Sequence, residues 1–519
     1  MHRISPLLIA LAVGQLAAVE LSPMFNDNAV LQRDREVAVW GGGKPGEQIT
    51  VRFAGQERQA TADADGRWLV RLAPLAASKE GRDLVVAGEG TVTVKNVVVG
   101  EVWICSGQSN MEWVVNNTMN SKDEIAAAEL PLIRQLDIPN LHRGSPTTTF
   151  KAAWTPASPK TAGGFTAVGF YFAREIAREL DVPIGLIASN WGGTRIEPWI
   201  SPAGLRASPE LKDIASQVDA TDPSTDAGNK AHLDHLAKVR EWLPQAEAAL
   251  AQRKPAPALP AAPGSTGDQQ GPARLWNGMI APLVPYGIRG ALWYQGESNG
   301  GEGVSYLHKK KALVSSWRQA FGQGDFPFYF VQLANYQKSD PAKPEGGDGW
   351  SRLREAQLNA IKEIPATGMA VTIDIGEAND IHPRNKQDVG RRLALWAMAK
   401  DYGKPVVHSG PLYASQAIEG AAIRVRFDSV GGGLMAGTKK GLEPVAESKG
   451  AALTWWAIAG EDKVWRKAEA RIDGDSVVVS SPEVAKPVAV RYAFAMNPEG
   501  ANLYNREGLP ASPFRTDSW

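Results

Sequence analysis

The sequence predicts an α/β protein in which a parallel sheet is flanked by helices, with an additional β-sandwich domain at each end. Between residues 97 and 403, short apolar runs alternate with helical stretches, which is typical of parallel strands joined by helices. On both sides of this region, apolar and polar residues alternate with a period of two, and glycine or Asp-Gly turns separate the runs.

Residues 1–18 have the pattern of a secretory signal peptide. Arg3 precedes an apolar run from Ile4 to Ala18 that is short for a membrane span. Leu16 stands where a small residue is preferred, so the exact cleavage site stays open. The only cysteine of the chain is Cys105, and an exported protein without disulfides fits a bacterial periplasm. We therefore expect a periplasmic or secreted protein.

Three domains are expected after the signal peptide. Residues 19–96 predict an N-terminal β-sandwich, in which runs such as Ile49–Phe53 alternate. Residues 97–403 predict the catalytic domain, and its expected strands end with the apolar run Ala370–Ile375. A helical and Pro-rich insertion is expected at about 202–272. Residues 404–519 predict a C-terminal β-sandwich.

Composition excludes several classes of function. The formal net charge is zero, so no basic excess is present to bind nucleic acid phosphates. No stretch after the first eighteen residues is long and apolar enough to span a bilayer. Neither a histidine–carboxylate cluster with metal spacing nor a nucleotide-binding glycine loop occurs. We therefore expect no metal, no cofactor and no membrane span, and the sequence indicates no protein partner.

The stretch Val97–Asn110 (VVVGEVWICSGQSN) carries the first candidate for catalysis. An apolar, β-branched run stops abruptly at a small polar turn. In open α/β sheets, ligands bind outside the carboxyl ends of the strands. Ser109 in this turn is therefore a candidate nucleophile, although a plain strand-to-helix connection with Ser and Asn as caps explains the stretch equally well.

Four motif blocks occur in order after this strand: GQSNMEW, SNWGGTRIEPW, LWYQGESN and DIHPRNKQDVGRRLA. This set resembles the SGNH (GDSL-like) hydrolases, and more closely their sialate O-acetylesterase-like branch, which overlaps the bacterial carbohydrate acetylesterases. The resemblance covers nearly the whole chain after residue 20. It implies a serine esterase on an SGNH-type parallel sheet.

The fourth block supplies the base and the acid. His382 follows a predicted strand and a polar loop and precedes a helix, which places it at the same sheet edge as Ser109. The family has its acid three residues before the histidine, where this chain has Asn379, so we expect Asp380 to take the role. Asp374 is the alternative, and a Ser-His dyad is a third possibility.

The oxyanion hole is expected to use backbone N–H groups and one side-chain amide. The N–H of Ser109 is the first donor, and the resemblance implies the Gly193 N–H as the second. The asparagine usual in the third block is not obvious here, so Gln295 is expected in its place, with Asn299 as the second choice.

Substrate-binding candidates lie in the same blocks: Trp191, Arg195, Glu297 and Asn299. Aromatic faces stack on sugar rings, although core packing explains any single tryptophan better. An internal ion pair is the better explanation for Arg195 and Glu297.

The leading hypothesis is an exported serine esterase that removes O-acetyl groups from a carbohydrate, sialate O-acetylesterase-like by resemblance. An acetylxylan or acetyl-xyloglucan esterase that acts on plant polysaccharide is the nearest alternative, because the motifs recognise the acetyl end of the substrate. A non-catalytic carbohydrate-binding protein is the alternative from another class.

Overall fold

The computed structural model describes residues 19–264 and 267–519. The predicted signal peptide, residues 1–18, lies outside them. Within the described residues the protein is a mixed α/β structure with extra β-sheet domains at both ends, as expected from the sequence. No helix in that part of the chain is long and apolar enough to cross a bilayer.

The N-terminal domain consists of short strands in two sheets. Three of them form an antiparallel sheet in the order β1-β3-β6, and the others join the long strand β8. Alternation of burial along β6 turns Trp68, Val70 and Leu72 inward, as the period of two predicts. The strands are β1 (Glu20–Leu21), β2 (Val30–Gln32), β3 (Val37–Gly42), β4 (Gln48–Phe53), β5 (Gln56–Thr61), β6 (Arg67–Leu72), β7 (Ser78–Ala87) and β8 (Thr91–Gly107).

Strand β8 crosses the boundary that the sequence predicts between residues 96 and 97. Its first half pairs with β7, and its second half pairs with strands of the central sheet. Asn96, at the predicted boundary, has φ +56° and lies where the register with β7 shifts. The strand is irregular there but continues, because both halves find hydrogen-bonding partners. The two domains therefore share one strand.

The central region contains the remaining parallel strands and all the α-helices of the described chain. These elements are, in chain order, α1 (Ser109–Glu112), α2 (Ser121–Ala126), β9 (Leu130–Asp137), β10 (Trp154–Ala157), α3 (Ala167–Leu180), β11 (Ile184–Asn190), α4 (Pro202–Ala207), α5 (Lys212–Asp219), α6 (Asp226–Ala251), β12 (Gly290–Tyr294), α7 (Val304–Phe321), β13 (Phe328–Val331), α8 (Gly349–Glu363), β14 (Thr367–Ala370) and α9 (Lys386–Lys400).

The strand order of the central sheet is β10-β9-β11-β8-β12-β13-β14, and β10 is the antiparallel edge. All other neighbours in this order are parallel. The register pairs Gly107 at the end of β8 with Asn190 on one side and Tyr294 on the other. The carboxyl ends of three adjacent strands therefore lie level at one edge of the sheet.

The last strand of this sheet lies earlier than the sequence predicts. The run Ala370–Ile375 was expected to be a strand, but β14 spans Thr367–Ala370. The residues that follow use their polar groups elsewhere: the Thr372 hydroxyl donates to the carbonyl of Gln332, and Asp374 pairs with Arg392. Apolar character alone does not distinguish a strand from a buried loop.

The C-terminal domain is entirely β and largely antiparallel. Its strands form three small sheets, in the orders β15-β16-β22-β21, β18-β17-β24 and β20-β19-β23-β25. They are β15 (Leu412–Glu419), β16 (Ala422–Asp428), β17 (Leu434–Thr438), β18 (Ala446–Glu447), β19 (Trp456–Gly460), β20 (Trp465–Lys467), β21 (Glu469–Asp473), β22 (Ser476–Ser480), β23 (Pro487–Tyr492), β24 (Leu503–Asn505) and β25 (Phe514–Arg515).

A fully buried arginine joins this domain to the central region. The Arg354 guanidinium donates to the carbonyls of Leu333 and Ala334 at 2.7 Å each, and to those of Ala495 and Met496 at 2.6 and 3.0 Å. Charge-assisted hydrogen bonds to four carbonyls satisfy a group that would otherwise be costly to bury. The C-terminal domain is thus anchored to the loop that follows the carboxyl end of β13.

Candidate active site

The turn after β8 delivers Ser109 to the level edge of the sheet. Gly107 has φ +136° and lies so close to the backbone of Tyr294 that a Cβ would be 2.1 Å from its carbonyl oxygen. Only glycine fits there without moving the neighbouring strand. Gln108 then serves as the N-cap, and Ser109 is the first residue of α1.

Ser109, His382 and Asp380 form a hydrogen-bonded chain. The Ser109 Oγ atom lies 2.9 Å from Nε2 of His382, and Nδ1 of the same ring lies 3.2 Å from Oδ1 of Asp380. Oδ1 of Asp380 also accepts the backbone N–H of His382 at 2.9 Å. The two-residue spacing is therefore compatible with contact, because a tight loop folds the carboxylate back onto the ring.

The alternative acid, Asp374, is engaged elsewhere. Its two carboxylate oxygens each lie 2.7 Å from a nitrogen of the Arg392 guanidinium, and both side chains are almost fully buried. A bidentate pair of this kind fixes the carboxylate in place. The structure therefore brings Asp380, and not Asp374, to the imidazole.

Asn110, Glu297 and Lys386 form a buried polar group next to the Ser109–His382 pair. Asn110 donates to the carbonyl of Ile381 at 3.0 Å and to Oε1 of Glu297 at 2.6 Å, and its Oδ1 accepts from Nζ of Lys386. Asn110 thus ties the nucleophile's helix to the residue before the histidine. Burial lowers the pKa of Lys386 to about 7, although carboxylates, Glu297 foremost, oppose this shift. Burial also raises the pKa of Glu297, against hydrogen bonds and the nearby Lys386 ammonium.

An aromatic ring covers the candidate base. The indole of Trp113 lies parallel to the imidazole of His382, with ring centroids 4.9 Å apart and an interplanar angle of 13°. The Lys386 Nζ atom lies 5.7 Å from the centroid of the same indole. The stack restricts the tilt of the imidazole, so that one ring nitrogen faces Ser109 and the other faces Asp380.

The glycine pair after β11 lies at the nucleophile, and its first member is in close contact with it. A Cβ on Gly192 would be 3.3 Å from Cβ of Ser109. The Gly192 N–H donates to Oε2 of Glu112 at 2.7 Å, so a carboxylate occupies that donor. Gly193 has φ +72°, and within the described chain its N–H donates to no other backbone or side-chain group. This leaves the Gly193 N–H available, as the sequence suggests.

The expectation for Gln295 needs correction. The side chain is fully buried, and its amide donates to Oδ1 of Asn299 at 2.7 Å and to the carbonyl of Thr194 at 3.3 Å. Its Oε1 accepts from the hydroxyl of Tyr306. The amide is therefore not free to donate to an oxyanion. Its polar atoms are satisfied by the loops that surround the site.

Asn299 is also committed to the scaffold. Its amide donates to Glu197 and Glu302, and its Oδ1 accepts the backbone N–H of Ile196 at 3.0 Å. Neither its expected contact with substrate nor its role as second choice for the oxyanion hole fits this geometry. Buried amides with fully used hydrogen-bonding capacity serve to hold loops together.

The remaining substrate-binding candidates divide into two groups. Arg195 forms ion pairs with Glu197 and Glu302, and Glu297 lies in the buried group beneath Ser109. Arg195 is therefore in an internal ion-pair network, as the sequence favoured, whereas Glu297 forms no ion pair with another described residue and accepts a hydrogen bond from the Asn110 amide. Trp191 is half-buried, directly precedes the glycine pair, and has its ring centroid 6.0 Å from that of His142. Its side chain packs partly against the hydrophobic core and keeps part of its surface exposed.

The sequence reasoning missed three residues that shape the site: Asn110, Glu112 and Lys386. All three stand inside the quoted motif blocks, at one and three residues after Ser109 and four after His382. The available signal is a polar residue within four positions of a catalytic candidate. Their partners are distant in sequence, so the contacts themselves were not predictable.

A small cavity opens beside α1. Its volume is about 200 Å³, and its lining includes Glu112, Asp137, Asn140 and Asn190. Burial raises the pKa of Asp137 to about 6, although a hydrogen bond from Gln135 acts in the opposite direction. No lysine or arginine is among the described residues that line it. Across the described chain, no group of three His, Cys, Asp or Glu residues is arranged to hold a metal ion.

Comparison with known proteins gives a consistent result. The family model described as "carbohydrate esterase, sialic acid-specific acetylesterase" matches residues 99–221 and 270–399. Sialate O-acetylesterase of Mus musculus is 31% identical over 78% of this chain and 78% of its own length. The enzyme of Homo sapiens is 31% identical over 75% of this chain and 72% of its own length.

A solved structure resembles nearly the whole chain. The crystal structure of a carbohydrate acetylesterase from Xanthomonas citri is 37% identical, with a TM-score of 0.78. The similarity covers 96% of this chain and 100% of that one. It therefore includes the N-terminal and C-terminal β domains as well as the central sheet.

Proposed function

The chain belongs to the sialic acid-specific acetylesterase family of carbohydrate esterases, and on that premise we propose that Ser109, His382 and Asp380 perform the ester hydrolysis. The protein is a carbohydrate O-acetylesterase, a carboxylic ester hydrolase. The single observation that supports the assignment of residues is the chain of contacts at 2.9 and 3.2 Å from Ser109 through His382 to Asp380.

The reaction begins with a proton transfer. Nε2 of His382 takes the Ser109 proton while Oγ attacks the acetyl carbonyl, and Asp380 stabilises the imidazolium that forms. His382 then gives the proton to the departing sugar oxygen, which leaves an acetyl-serine. A water that has lost a proton to His382 attacks this ester, acetate leaves, and Ser109 regains its proton.

Two backbone groups hold the oxyanion in this proposal. The N–H of Ser109 is at the first position of α1, where no preceding turn supplies a carbonyl acceptor. The Gly193 N–H is the second donor. Donors fixed before reaction stabilise the tetrahedral intermediate without reorganisation.

We also propose that the central region has the SGNH-type arrangement. Three features support this: the parallel strand order, the serine directly after the central strand β8, and the histidine in the loop before the last helix α9. Together they place nucleophile and base on one sheet edge from opposite ends of the domain.

The test of function is acetate release from a panel of defined esters. Purified protein is incubated with O-acetylated sialic acids, acetylated xylan and acetylated xyloglucan, and acetate and deacetylated sugar are quantified. Release from at least one of them that is lost in Ser109→Ala is expected. A protein that binds these sugars, hydrolyses none and is not labelled by a fluorophosphonate probe would be the non-catalytic binder instead.

The choice between an acetylated sialate and a neutral acetylated polysaccharide as substrate is left to this panel. The panel decides this directly, because a sialate-specific enzyme would prefer the anionic esters.

Export remains part of the proposal. The charged start and apolar run of residues 1–18 support a cleaved signal peptide. N-terminal sequencing of the protein from its native host should begin near Val19. A retained Met1 would contradict cleavage of a signal peptide.

A further inference from the structure

Helix α6 presents an unusual row of exposed leucines. Leu233, Leu236, Leu243 and Leu250 are 60%, 48%, 50% and 63% exposed, and we call them the leucine stripe. The last three recur every seven residues, and Leu233 precedes them by three. Residues spaced in this way lie on one side of a helix. A soluble surface seldom leaves such a row uncovered.

The helix belongs to a segment that the family model passes over. The matched residues end at 221 and resume at 270, whereas α6 spans Asp226–Ala251. The helix is attached to its own chain next to the stripe: Trp242 donates to the carbonyl of Pro257 at 2.9 Å, and Ala246, three residues after Leu243, is buried. The four leucines nevertheless stay 48% to 63% exposed.

The pattern of the stripe is symmetric about its third member. Leu236 and Leu250 lie seven residues before and after Leu243. If two copies of α6 pack antiparallel with a two-fold axis at Leu243, each Leu236 faces the partner's Leu250. An isologous contact requires such a self-complementary surface.

The charges beside the stripe are complementary in the same arrangement. Arg240 and Glu247 are exposed, and neither forms an ion pair with another described residue. They flank Leu243 at three and four residues, so in the antiparallel pair Arg240 lies beside the partner's Glu247. Residues 226–240 of α6 carry three cations against two carboxylates, and residues 241–251 carry two carboxylates and no lysine or arginine.

We propose that the leucine stripe is an interface with a second copy of this chain, formed by antiparallel packing of α6 about Leu243. The contact uses none of the residues that form the Ser109 site. A pair of single helices buries less than the roughly 800 Å² per partner of a standard interface. The dimer should therefore form and dissociate with a Kd on the order of micromolar.

The first test is the molecular mass in solution. Sedimentation velocity of the mature protein from about 1 to 100 µM should show a monomer that converts to a dimer as concentration rises. Leu243→Glu should remain monomeric over this range with unchanged acetate release. Leu69→Glu is the matched control, since Leu69 is 42% exposed on β6, far from α6 in sequence, and the dimer should persist.

The second test addresses orientation. Arg240→Glu and Glu247→Arg should each weaken the dimer by about tenfold or more, and the double exchange should restore it. Leu243→Cys should cross-link to itself under mild oxidation, whereas the buried native Cys105 should not. Wild-type protein that remains monomeric at 100 µM overturns the proposal. The same holds if that monomer binds lipid vesicles, because the stripe would then be a membrane contact. A dimer that tolerates Leu243→Glu, or a double exchange that stays monomeric, also overturns it.

Discussion

The Ser109 hydroxyl and the His382 imidazole meet at 2.9 Å although 273 residues separate them in the chain. One residue follows the central strand and the other precedes the last helix of the domain. Because the base acts only through the nucleophile, Ser109→Ala and His382→Ala should each lower kcat by about 10³-fold or more. The double variant should lose no more than either single one.

The control for this pair is Ser106, the nearest other serine. It is fully buried within β8, three residues before the nucleophile. Ser106→Ala should leave kcat within a few-fold of wild type, measured by acetate release on the same ester. Activity that survives in Ser109→Ala but is lost in Ser106→Ala would contradict the assignment.

Substitution of Asp380 should lower kcat, whereas substitution of Asp374 should lower Tm. Asp380→Asn weakens the hydrogen bond that orients His382, so kcat should fall by roughly 10- to 10⁴-fold with little change in Tm. Asp374→Asn leaves the buried Arg392 without its counter-charge, so Tm should fall first. Calorimetry and kinetics on both variants separate these effects. Full activity in Asp380→Asn would indicate a Ser-His dyad.

The sequence predicted a mixed α/β fold with extra β domains and the meeting of Ser109, His382 and Asp380 at one sheet edge, because these depend on local patterns. Periodicity distinguishes strand from helix, and a motif block places a residue at a strand end. Gln295 was misjudged because its amide is satisfied by Thr194 and Asn299, contacts that only the folded loops create. The last predicted strand was displaced for the same reason, since Asp374 is recruited by Arg392.

Gly192 and Gly193 offer a matched pair of substitutions. A Cβ at Gly192 would lie 2.8 Å from Oε2 of Glu112 and 3.3 Å from Cβ of Ser109, so Gly192→Ala should displace the nucleophile. Misplacement of reacting groups by about 1 Å can cost 10²-fold in rate, and we expect a loss of that order in kcat.

Gly193→Ala meets open space, because a Cβ there has no heavy atom within 4 Å. Alanine at φ +72° must adopt the left-handed backbone conformation, which lowers the free energy of unfolding by about 1 kcal/mol. It should therefore lower Tm slightly and retain most of the activity. If Gly193→Ala is the more damaging change to kcat, contact with Ser109 is not what constrains this loop.

Lys386 should affect kcat because it helps to position His382. It donates to Asn110, which in turn holds the carbonyl of Ile381 next to His382. Lys386→Met removes that donor, so kcat should fall by about 10- to 100-fold while KM stays near its original value. Lys386→Arg keeps a donor and should recover part of the rate. Equal losses in both variants, with unchanged Tm, would contradict a role in positioning.

Lys310 should limit stability in a pH-dependent way. It is fully buried on α7, its Nζ lies 3.4 Å from the centroid of the Phe330 ring, and within the described chain it has no hydrogen-bond partner. Burial lowers the pKa of Lys310 well below the ordinary value of 10.5. The unfolded chain therefore binds more protons than the folded one between the two pKa values, and stability rises with pH across that window.

Lys310→Met removes this proton-linked penalty while it keeps an unbranched side chain of similar length. Tm at neutral pH should rise by about 2 °C or more, and the gain should shrink as pH approaches 10.5. Lys309→Met is the matched control, because the neighbouring Lys309 lies 2.7 Å from the buried Glu197, and its loss removes one of the two cations that pair with this carboxylate. That variant should lower Tm. Calorimetry at about pH 7 and pH 10 measures both, and a gain for Lys310→Met that is equal at the two pH values would contradict the linkage.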